Sequence, residues 1–301
     1  MKKFKKITII EPTNMSVKSL EILNNKCDKL VVYNDIPNSC DEIIKRIDDS
    51  DAILVSYTTI ISKDILIKCQ NLKYIGMCCS LYDESACSVD IRYCKNNGIT
   101  VTGIKDYGDE GVREYVIDVL ISLLHGYNGF IPFYGEISEL TNVKVGILGM
   151  GVTGKLVSRA LKYLGADVYY YSRTRKDDIE AEDIKYLELN ELLSSTDFIC
   201  SCLSKNVCLL YEEQFNLLKN HKVLINTSLS PFFEDLAFKK WISNSSNYYF
   251  ADSYLALGSK EYLNYDNVYT KGRCSGMSIQ AVERLNNKVL NNLDDYLNMC
   301  E

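Results

Sequence analysis

The sequence predicts an α/β fold with two open parallel sheets. Short apolar runs of strand length alternate with segments of helical spacing along most of the chain. This alternation is typical of βα units that place helices on both faces of a parallel sheet. A length of 301 residues suits two domains, and a hydrophobic share of 47% is enough for two cores.

Five apolar runs and four helical segments alternate in the first hundred residues. The predicted strands are residues 7–10, 30–33, 52–55, 74–77 and 99–101. The predicted helices are residues 17–23, 41–47, 61–69 and 89–95. Asp41 is the predicted N-cap of its helix. Residues 103–111 then resemble a hinge, and residues 111–124 are predicted to form a long helix that leads into the second half of the chain.

The same alternation continues to the C-terminus. The predicted strands are residues 144–148, 168–171, 198–202, 222–226, 248–251 and 268–270, and the predicted helices are residues 156–164, 189–193, 210–218 and 236–242. A last helix over residues 279–297 is expected to return to the first domain. Residues 1–103 with 277–301 would then form one domain, and residues 104–276 the other.

A glycine-rich turn follows the strand at residues 144–148. It reads Gly149-x-Gly151-x-x-Gly154, and it is followed by a helix and a second strand within roughly 30 residues. In such a turn the first glycine allows the tight bend, the second lets the backbone approach a pyrophosphate, and the third lets helix and strand pack closely. The motif predicts a dinucleotide-binding turn, and the alternative is a purely structural glycine turn. The predicted cofactor contacts here are Gly149, Gly151, Val152, Thr153 and Gly154.

The end of the second strand of this unit bears on the choice of cofactor. NAD enzymes usually place Asp or Glu there to accept hydrogen bonds from the adenosine ribose. The chain instead has Ser172, Arg173 and Thr174. Hydroxyl and guanidinium groups can bind a 2′-phosphate, which a carboxylate would repel. The segment therefore favours NADP(H) over NAD(H), unless it is only a solvated basic turn.

Composition excludes several other classes of protein. A formal net charge of -6 and a pI near 5.2 argue against a nucleic-acid-binding face. No apolar run approaches the 18 or so residues of a membrane span, and the short run at residues 7–10 fits a strand better than a signal peptide. We therefore expect a cytoplasmic protein. The 12 cysteines include no CxxC pair, so reduced thiols and no metal site are expected.

Several segments, in their order and spacing, resemble the D-isomer-specific 2-hydroxyacid dehydrogenase family. They are residues 71–76, 89–90, 97–101, 112–114, 145–154, 223–228 and 267–270. The resemblance implies two Rossmann-like domains, a flavodoxin-like substrate domain and a doubly wound dinucleotide-binding domain, with substrate and nicotinamide meeting in a cleft between them. It also implies that Asp252 holds the nicotinamide carboxamide. The residues implied to line the nicotinamide side are Cys202, Leu203, Thr227 and Ser228.

The three catalytic positions of that family are filled differently in this chain. The position of the family's arginine is Leu229, that of its histidine is Gly272, and its glutamate position falls near Leu257. Carbonyl reduction still needs a donor or cation that faces the developing negative charge. The candidates for that role are Lys271, Arg273 and Tyr254, and the alternative is that the two cations are solvated loop charges.

Two further segments depart from the family. Its glycine-rich substrate loop corresponds to the bulkier Cys78-Cys79-Ser80-Leu81-Tyr82-Asp83, and the arm that builds much of the family's dimer is short here. Residues Phe130, Ile131, Phe133 and Tyr134 are expected to offer an apolar surface for a homodimer.

Three functions remain open for such a chain. The first is an NADP(H)-dependent oxidoreductase of the 2-hydroxyacid type with a replaced catalytic site, acting on a small substrate, for which an anion is one candidate. The second is a reductase of a C=N or C=C bond, in which the family's arginine–histidine pair is not needed. The third is a non-catalytic NADP-binding sensor or partner protein. The intact cofactor turn favours a reductase.

Overall fold

Two parallel sheets organise the chain, one in each of two units. The computed structural model describes residues 3–81 and 87–300. The first unit comprises Met1–Tyr107 and Ser278–Glu301, and the second unit comprises Gly108–Met277. The division falls within the segment over residues 103–111 that the sequence predicts to be a hinge.

The first unit contains a five-stranded parallel sheet. Its strands are β1 (Phe4–Ile9), β2 (Cys27–Val32), β3 (Ala52–Val55), β4 (Tyr74–Ser80) and β5 (Thr100–Ile104), in the order β2-β1-β3-β4-β5. Its helices are α1 (Val17–Asn25), α2 (Cys40–Ile47), α3 (Lys63–Leu66), α4 (Ile91–Asn96) and, from the end of the chain, α12 (Ile279–Met299). This is the strand order of a flavodoxin-like sheet, as the sequence predicts.

The second unit contains a seven-stranded parallel sheet. Its strands are β6 (Lys144–Leu148), β7 (Asp167–Tyr171), β8 (Lys185–Tyr186), β9 (Phe198–Ser201), β10 (Val223–Asn226), β11 (Tyr248–Ala251) and β12 (Val268–Thr270). The order β12-β11-β10-β9-β6-β7-β8 is that of a doubly wound sheet, so the predicted fold class is confirmed. Its helices are α5 (Asp109–His125), α6 (Val152–Tyr163), α7 (Asp177–Glu180), α8 (Leu189–Ser195), α9 (Glu212–Leu218), α10 (Asp235–Ile242) and α11 (Tyr254–Leu257).

Three local predictions are wrong. Ser39, not Asp41, caps α2, because its hydroxyl accepts a hydrogen bond from the Glu42 N–H at 3.2 Å. Strand β4 continues to Ser80, because Cys78 and its neighbour are buried in the sheet, so the predicted loop does not begin at Cys78. Strand β9 ends one residue earlier than predicted, which places Cys202 just beyond the sheet. Tyr82 and Asp83, the end of that predicted loop, lie outside the described residues.

The apolar surface predicted after α5 is smaller than expected. Phe133 is buried, because its ring packs on Phe198, and Phe130 is partly buried against Phe250. Ile131 and Tyr134 are exposed. In the part of the chain that the structure describes, no helix is both long enough and apolar enough to cross a membrane.

Candidate functional site

Six of the predicted site residues of the second unit share one kind of position in the fold. Each directly follows the last residue of a parallel strand: Gly149 follows β6, Ser172 follows β7, Cys202 follows β9, Thr227 follows β10, Asp252 follows β11 and Lys271 follows β12. The carboxyl ends of these strands lie along one edge of the sheet. The strand order reverses between β6 and β9, which is the point where open α/β sheets bind their ligands.

The three glycines of the turn have different reasons to be glycine. Gly149 has a φ of +94°, and a Cβ added to it would lie 2.7 Å from the backbone oxygen of Cys202. A Cβ on Gly154 would lie 2.0 Å from the backbone oxygen of Gly149. A Cβ on Gly151, in contrast, would meet nothing within 4 Å. Contacts within the protein account for the first and third glycines, whereas the open space at Gly151, the N-cap of α6, leaves room for the close approach of another molecule.

Helix α6 presents its N-terminus at this turn. Its N-cap is Gly151, which has no side chain to accept hydrogen bonds, and its first turn contains no acidic residue. The first N–H groups of the helix and the positive end of its dipole are therefore available to an anion. Val152 is about half exposed here, and the Thr153 hydroxyl donates to the carboxylate of Asp109. The backbone of this turn is thus better suited than its side chains to hold a pyrophosphate.

The segment after β7 combines free and engaged polar groups. The Ser172 hydroxyl donates to the Thr174 carbonyl oxygen at 2.6 Å. The Thr174 hydroxyl accepts a hydrogen bond from Lys176 Nζ at 2.9 Å, so Lys176 also belongs to this group, although nothing in the sequence singles it out. Arg173 is exposed, and no other described residue forms a hydrogen bond or ion pair with it. Arg173, the Thr174 hydroxyl and the Lys176 ammonium are therefore the groups available to an anion.

The neighbouring charges are already paired. Arg175 binds the carboxylate of Glu180 through two hydrogen bonds and lies over the ring of Tyr186, 5.1 Å from its centre. Glu180 also accepts a hydrogen bond from the Tyr170 hydroxyl at 2.8 Å. The Arg175 guanidinium, followed by this hydroxyl, lowers the pKa of Glu180 to about 2. The nearby carboxylate of Glu180 is thus committed to the protein and is a poor acceptor for ribose hydroxyls.

Asp252 lies at the other end of the predicted cofactor path. It is 3% exposed, and its Oδ2 accepts hydrogen bonds from the Ser275 N–H at 3.0 Å and the Ser275 hydroxyl at 2.7 Å. Its Oδ1 has no hydrogen-bond partner among the described residues. Burial raises the pKa of the Asp252 carboxyl, against the opposing effect of the Ser275 hydrogen bonds and of the neighbouring Ser253 hydroxyl. A buried acceptor without a partner is costly, so Oδ1 fits a ligand with an N–H donor.

Two predicted cofactor residues, Thr227 and Ser228, instead form hydrogen bonds that join the loop after β10 to the end of β9 and the loop that follows it. The Thr227 hydroxyl donates to the Ser201 carbonyl oxygen at 2.7 Å. The Ser228 hydroxyl lies 2.8 Å from the Ser201 hydroxyl and accepts from the Leu203 N–H at 3.1 Å. The Cys202 thiol is 3.9 Å from the Thr227 hydroxyl. These side chains shape the edge of the sheet through bonds within the protein.

The loop after β12 contains Gly272, the residue that the sequence resemblance matches to the family's histidine. Gly272 has a φ of +64°, and a Cβ added to it would lie 2.4 Å from Cε2 of Tyr254. Tyr254 is 52% exposed, whereas Lys271 and Arg273 are exposed and form no hydrogen bond or ion pair with any described residue. The structure therefore brings one of the three candidates, Tyr254, directly against Gly272.

Comparisons with known proteins agree with this architecture. Residues 132–251 match the model of the NAD binding domain of D-isomer specific 2-hydroxyacid dehydrogenases. A hydroxypyruvate reductase of Blautia hydrogenotrophica is 26% identical over 241 residues, which are 74% of this chain and 72% of that protein.

Two solved structures share the whole fold. An acyclic imino acid reductase in complex with NADPH and D-Arg superposes with a TM-score of 0.82 at 23% identity, over 98% of this chain and 97% of that one. D-lactate dehydrogenase from Aquifex aeolicus, complexed with NAD and lactic acid, superposes with a TM-score of 0.78 at 19% identity, over 97% and 95% of the two chains.

Proposed function

We propose that this chain, which matches the NAD binding domain of D-isomer specific 2-hydroxyacid dehydrogenases over residues 132–251, is an NADP(H)-dependent reductase of a small substrate. Its catalytic site would differ from that of the family it resembles. The substrate would be an altered keto acid, an imine or an enoate. The observation that carries the proposal is the buried, unpartnered Oδ1 of Asp252 at the carboxyl edge of the second sheet.

Different residues along the carboxyl edge of the second sheet would bind different parts of a nicotinamide dinucleotide. The N-terminus of α6 behind Gly151 would hold the pyrophosphate through backbone N–H groups. Asp252 Oδ1 would accept a hydrogen bond from the carboxamide of the nicotinamide. When bound, NADPH would supply the hydride, while the protein supplies position, charge and a proton.

The preference for NADP(H) rests on the segment after β7. Arg173, the Thr174 hydroxyl and Lys176 are free to bind a 2′-phosphate, whereas Arg175 is held by Glu180. No unpaired carboxylate is found on the described residues 172–176. Hydrogen bonds to charged groups contribute about 1.5–3 kcal/mol each, so a few such contacts support a clear preference for NADPH.

The catalytic site would differ from that of the family because its anion-binding arginine position is Leu229. An aliphatic side chain cannot form the paired hydrogen bonds that a guanidinium forms with a carboxylate. Lys271 and Arg273 are the cations closest in sequence to the vacant histidine position, and either could bind an anionic substrate. The same fold is used by the acyclic imino acid reductase, so an imine is compatible with it.

The proposal can be tested in two steps. Calorimetric titration with NADPH and NADH measures cofactor binding, and NADPH oxidation is then followed with a panel of keto acids, imines and enoates. We expect tight NADPH binding, turnover of one member of the panel, and negligible reduction of pyruvate, glyoxylate or hydroxypyruvate. Absence of NADPH binding would refute the proposal, and binding without any turnover would favour the non-catalytic sensor.

A further inference from the structure

The ring of Tyr254 contacts Gly272, the residue matched to the family's histidine, and fills the space beside it. The ring of Tyr254 occupies the space into which a side chain at position 272 would extend, since an added Cβ would lie 2.4 Å from Cε2 and 2.6 Å from Cζ. Gly272 is held in its left-handed conformation by a hydrogen bond from its N–H to the Thr270 hydroxyl at 3.0 Å. A histidine at 272 and the tyrosine in its present place are therefore mutually exclusive.

The short helix α11 holds Tyr254 firmly, although the ring itself is half exposed. The Ser253 hydroxyl caps the helix by accepting from the Ala256 N–H at 3.2 Å. The carbonyl oxygen of Ala256 accepts from Asn226 Nδ2 at 2.9 Å and from the Tyr249 hydroxyl at 2.7 Å. Because Asn226 and Tyr249 are fully buried, α11 is anchored to the sheet core. Tyr254 is thus presented on a rigid support.

Both sides of the contact are also tied to the proposed nicotinamide site. Asp252 lies two residues before Tyr254, and its Oδ2 binds Ser275, which lies three residues after Gly272. Lys260 Nζ lies 5.1 Å from the centre of the Tyr254 ring, in a cation–π contact that helps to fix the ring. The Tyr254 hydroxyl forms no hydrogen bond with any described residue, so it remains available to another molecule.

We propose, on the basis of the function proposed above, that Tyr254 is the proton donor of the reaction and that Gly272 is required to make room for its ring. As the hydride reaches one carbon of the substrate double bond, the electron pair of that bond moves to the atom at its other end, which is oxygen in a keto acid, nitrogen in an imine and carbon in an enoate. The Tyr254 phenol gives its proton to that atom, and the resulting phenolate recovers a proton from water. Arg273 binds the anionic part of the substrate, because a guanidinium does not give up its proton in proteins, and the exposed Lys271 ammonium assists it as a second cation.

The placement of the phenol can be tested without any substrate. The full chain is labelled uniformly with 3-fluorotyrosine, and the ¹⁹F signal of Tyr254 is identified as the one that Tyr254→Phe lacks. On titration with NADPH we expect this signal to move, while the signal of Tyr163, on the far end of α6 and 91% exposed, stays in place. NADPH binding that leaves the Tyr254 signal unmoved would refute this inference but not the proposed function.

The role of the phenol is tested by turnover of whichever panel substrate is reduced. Tyr254→Phe removes only the hydroxyl, and we expect it to lower turnover by about 100-fold or more, the lower end of the range for general acids, with unchanged NADPH affinity. Tyr163→Phe is the matched control and should behave like the wild type. Wild-type turnover in Tyr254→Phe would overturn the inference, and failure of the wild type to turn over any substrate would overturn the proposed function together with it.

Discussion

The two sheets of this chain each have a point where the strand order reverses, and the two points are filled differently. In the second unit, the reversal between β6 and β9 is bordered by Gly151, with open space in front of it. In the first unit, the reversal lies between β1 and β3, and Glu11 fills it. Glu11 is fully buried, and its carboxylate accepts hydrogen bonds from the Ser56 N–H at 2.8 Å, the Thr59 N–H at 3.3 Å and the Thr59 hydroxyl at 2.8 Å.

The comparison shows that topology alone does not make a nucleotide site. Both edges offer backbone N–H groups that suit an anion. In the first unit the chain supplies that anion itself, through Glu11, whereas in the second unit the N-cap of α6 is a glycine and leaves the groups free. We therefore propose that the second unit binds the cofactor. The following variants would break or sharpen this distinction.

The largest effect is expected within the glycine turn. Gly154→Ala would place a methyl group 2.0 Å from the Gly149 carbonyl oxygen, so the backbone must shift, and we expect a loss of about 3 kcal/mol or more in the free energy of unfolding. Gly151→Ala meets no protein atom, so it should cost only about 1 kcal/mol or less, through the loss of a favourable N-cap residue, yet weaken NADPH binding by about tenfold or more. Urea denaturation and calorimetry measure the two quantities. Unchanged NADPH affinity in Gly151→Ala would show that no ligand approaches there.

The next effect concerns Glu11, which fills the crevice at the strand-order reversal between β1 and β3 of the first unit. Glu11→Ala leaves two buried N–H groups and a hydroxyl without their acceptor, and we expect a loss of about 2–3 kcal/mol in the free energy of unfolding. Added formate should restore stability to this variant more than to the wild type, because it can replace the missing carboxylate. Thermal melts with and without formate provide the measurement. Equal responses of the two proteins would mean that the crevice is not an anion site filled by Glu11.

The sequence predicts where the strands end better than it predicts the hydrogen bonds between the loops that follow them. The strands of the second unit end close to their predicted positions, because apolar runs and glycine turns are local signals. The hydrogen bonds from Ser275 to Asp252 join residues from different loops, and nothing near either residue in the sequence indicates them. The burial of Glu11 could not be predicted either, because a carboxylate that follows a strand is usually exposed.

The candidate catalytic residues show the same limit. Gly272 stands out in the sequence as a departure from the family, and Tyr254 is a candidate donor, but nothing in the sequence indicates that the two are in contact. The four-residue helix that carries Tyr254 is too short to produce a helical pattern, and the contact between the two depends on two separate strand ends. A signal could have been found only in the paired change of both positions among relatives.

A smaller effect is expected at the adenosine end of the cofactor. Arg173→Ala should remove about 1.5–3 kcal/mol of NADPH binding, which is a loss of roughly tenfold to a hundredfold in affinity, with little change for NADH. Arg92→Ala, which removes an exposed arginine of the first unit, is the control. Calorimetry with both cofactors tests this. Equal affinity of the wild type for NADPH and NADH would contradict the role of the segment after β7.

The smallest effect is expected at the nicotinamide end, where a side chain of the protein fills the space beside a glycine. Gly272 and Gly135 both have positive φ values, +64° and +85°, so alanine at either position costs about 1–2 kcal/mol of backbone strain. A Cβ on Gly135 meets nothing within 4 Å, whereas a Cβ on Gly272 meets the Tyr254 ring. Gly272→Ala should therefore lose up to about 1 kcal/mol more stability than Gly135→Ala, since the half-exposed ring can move away at modest cost. It should also shift the ¹⁹F signal of Tyr254 in the free protein, which Gly135→Ala should not. Equal stability losses with an unmoved Tyr254 signal would show that the position of the ring does not depend on Gly272. The space beside Gly272 would then not be filled by Tyr254.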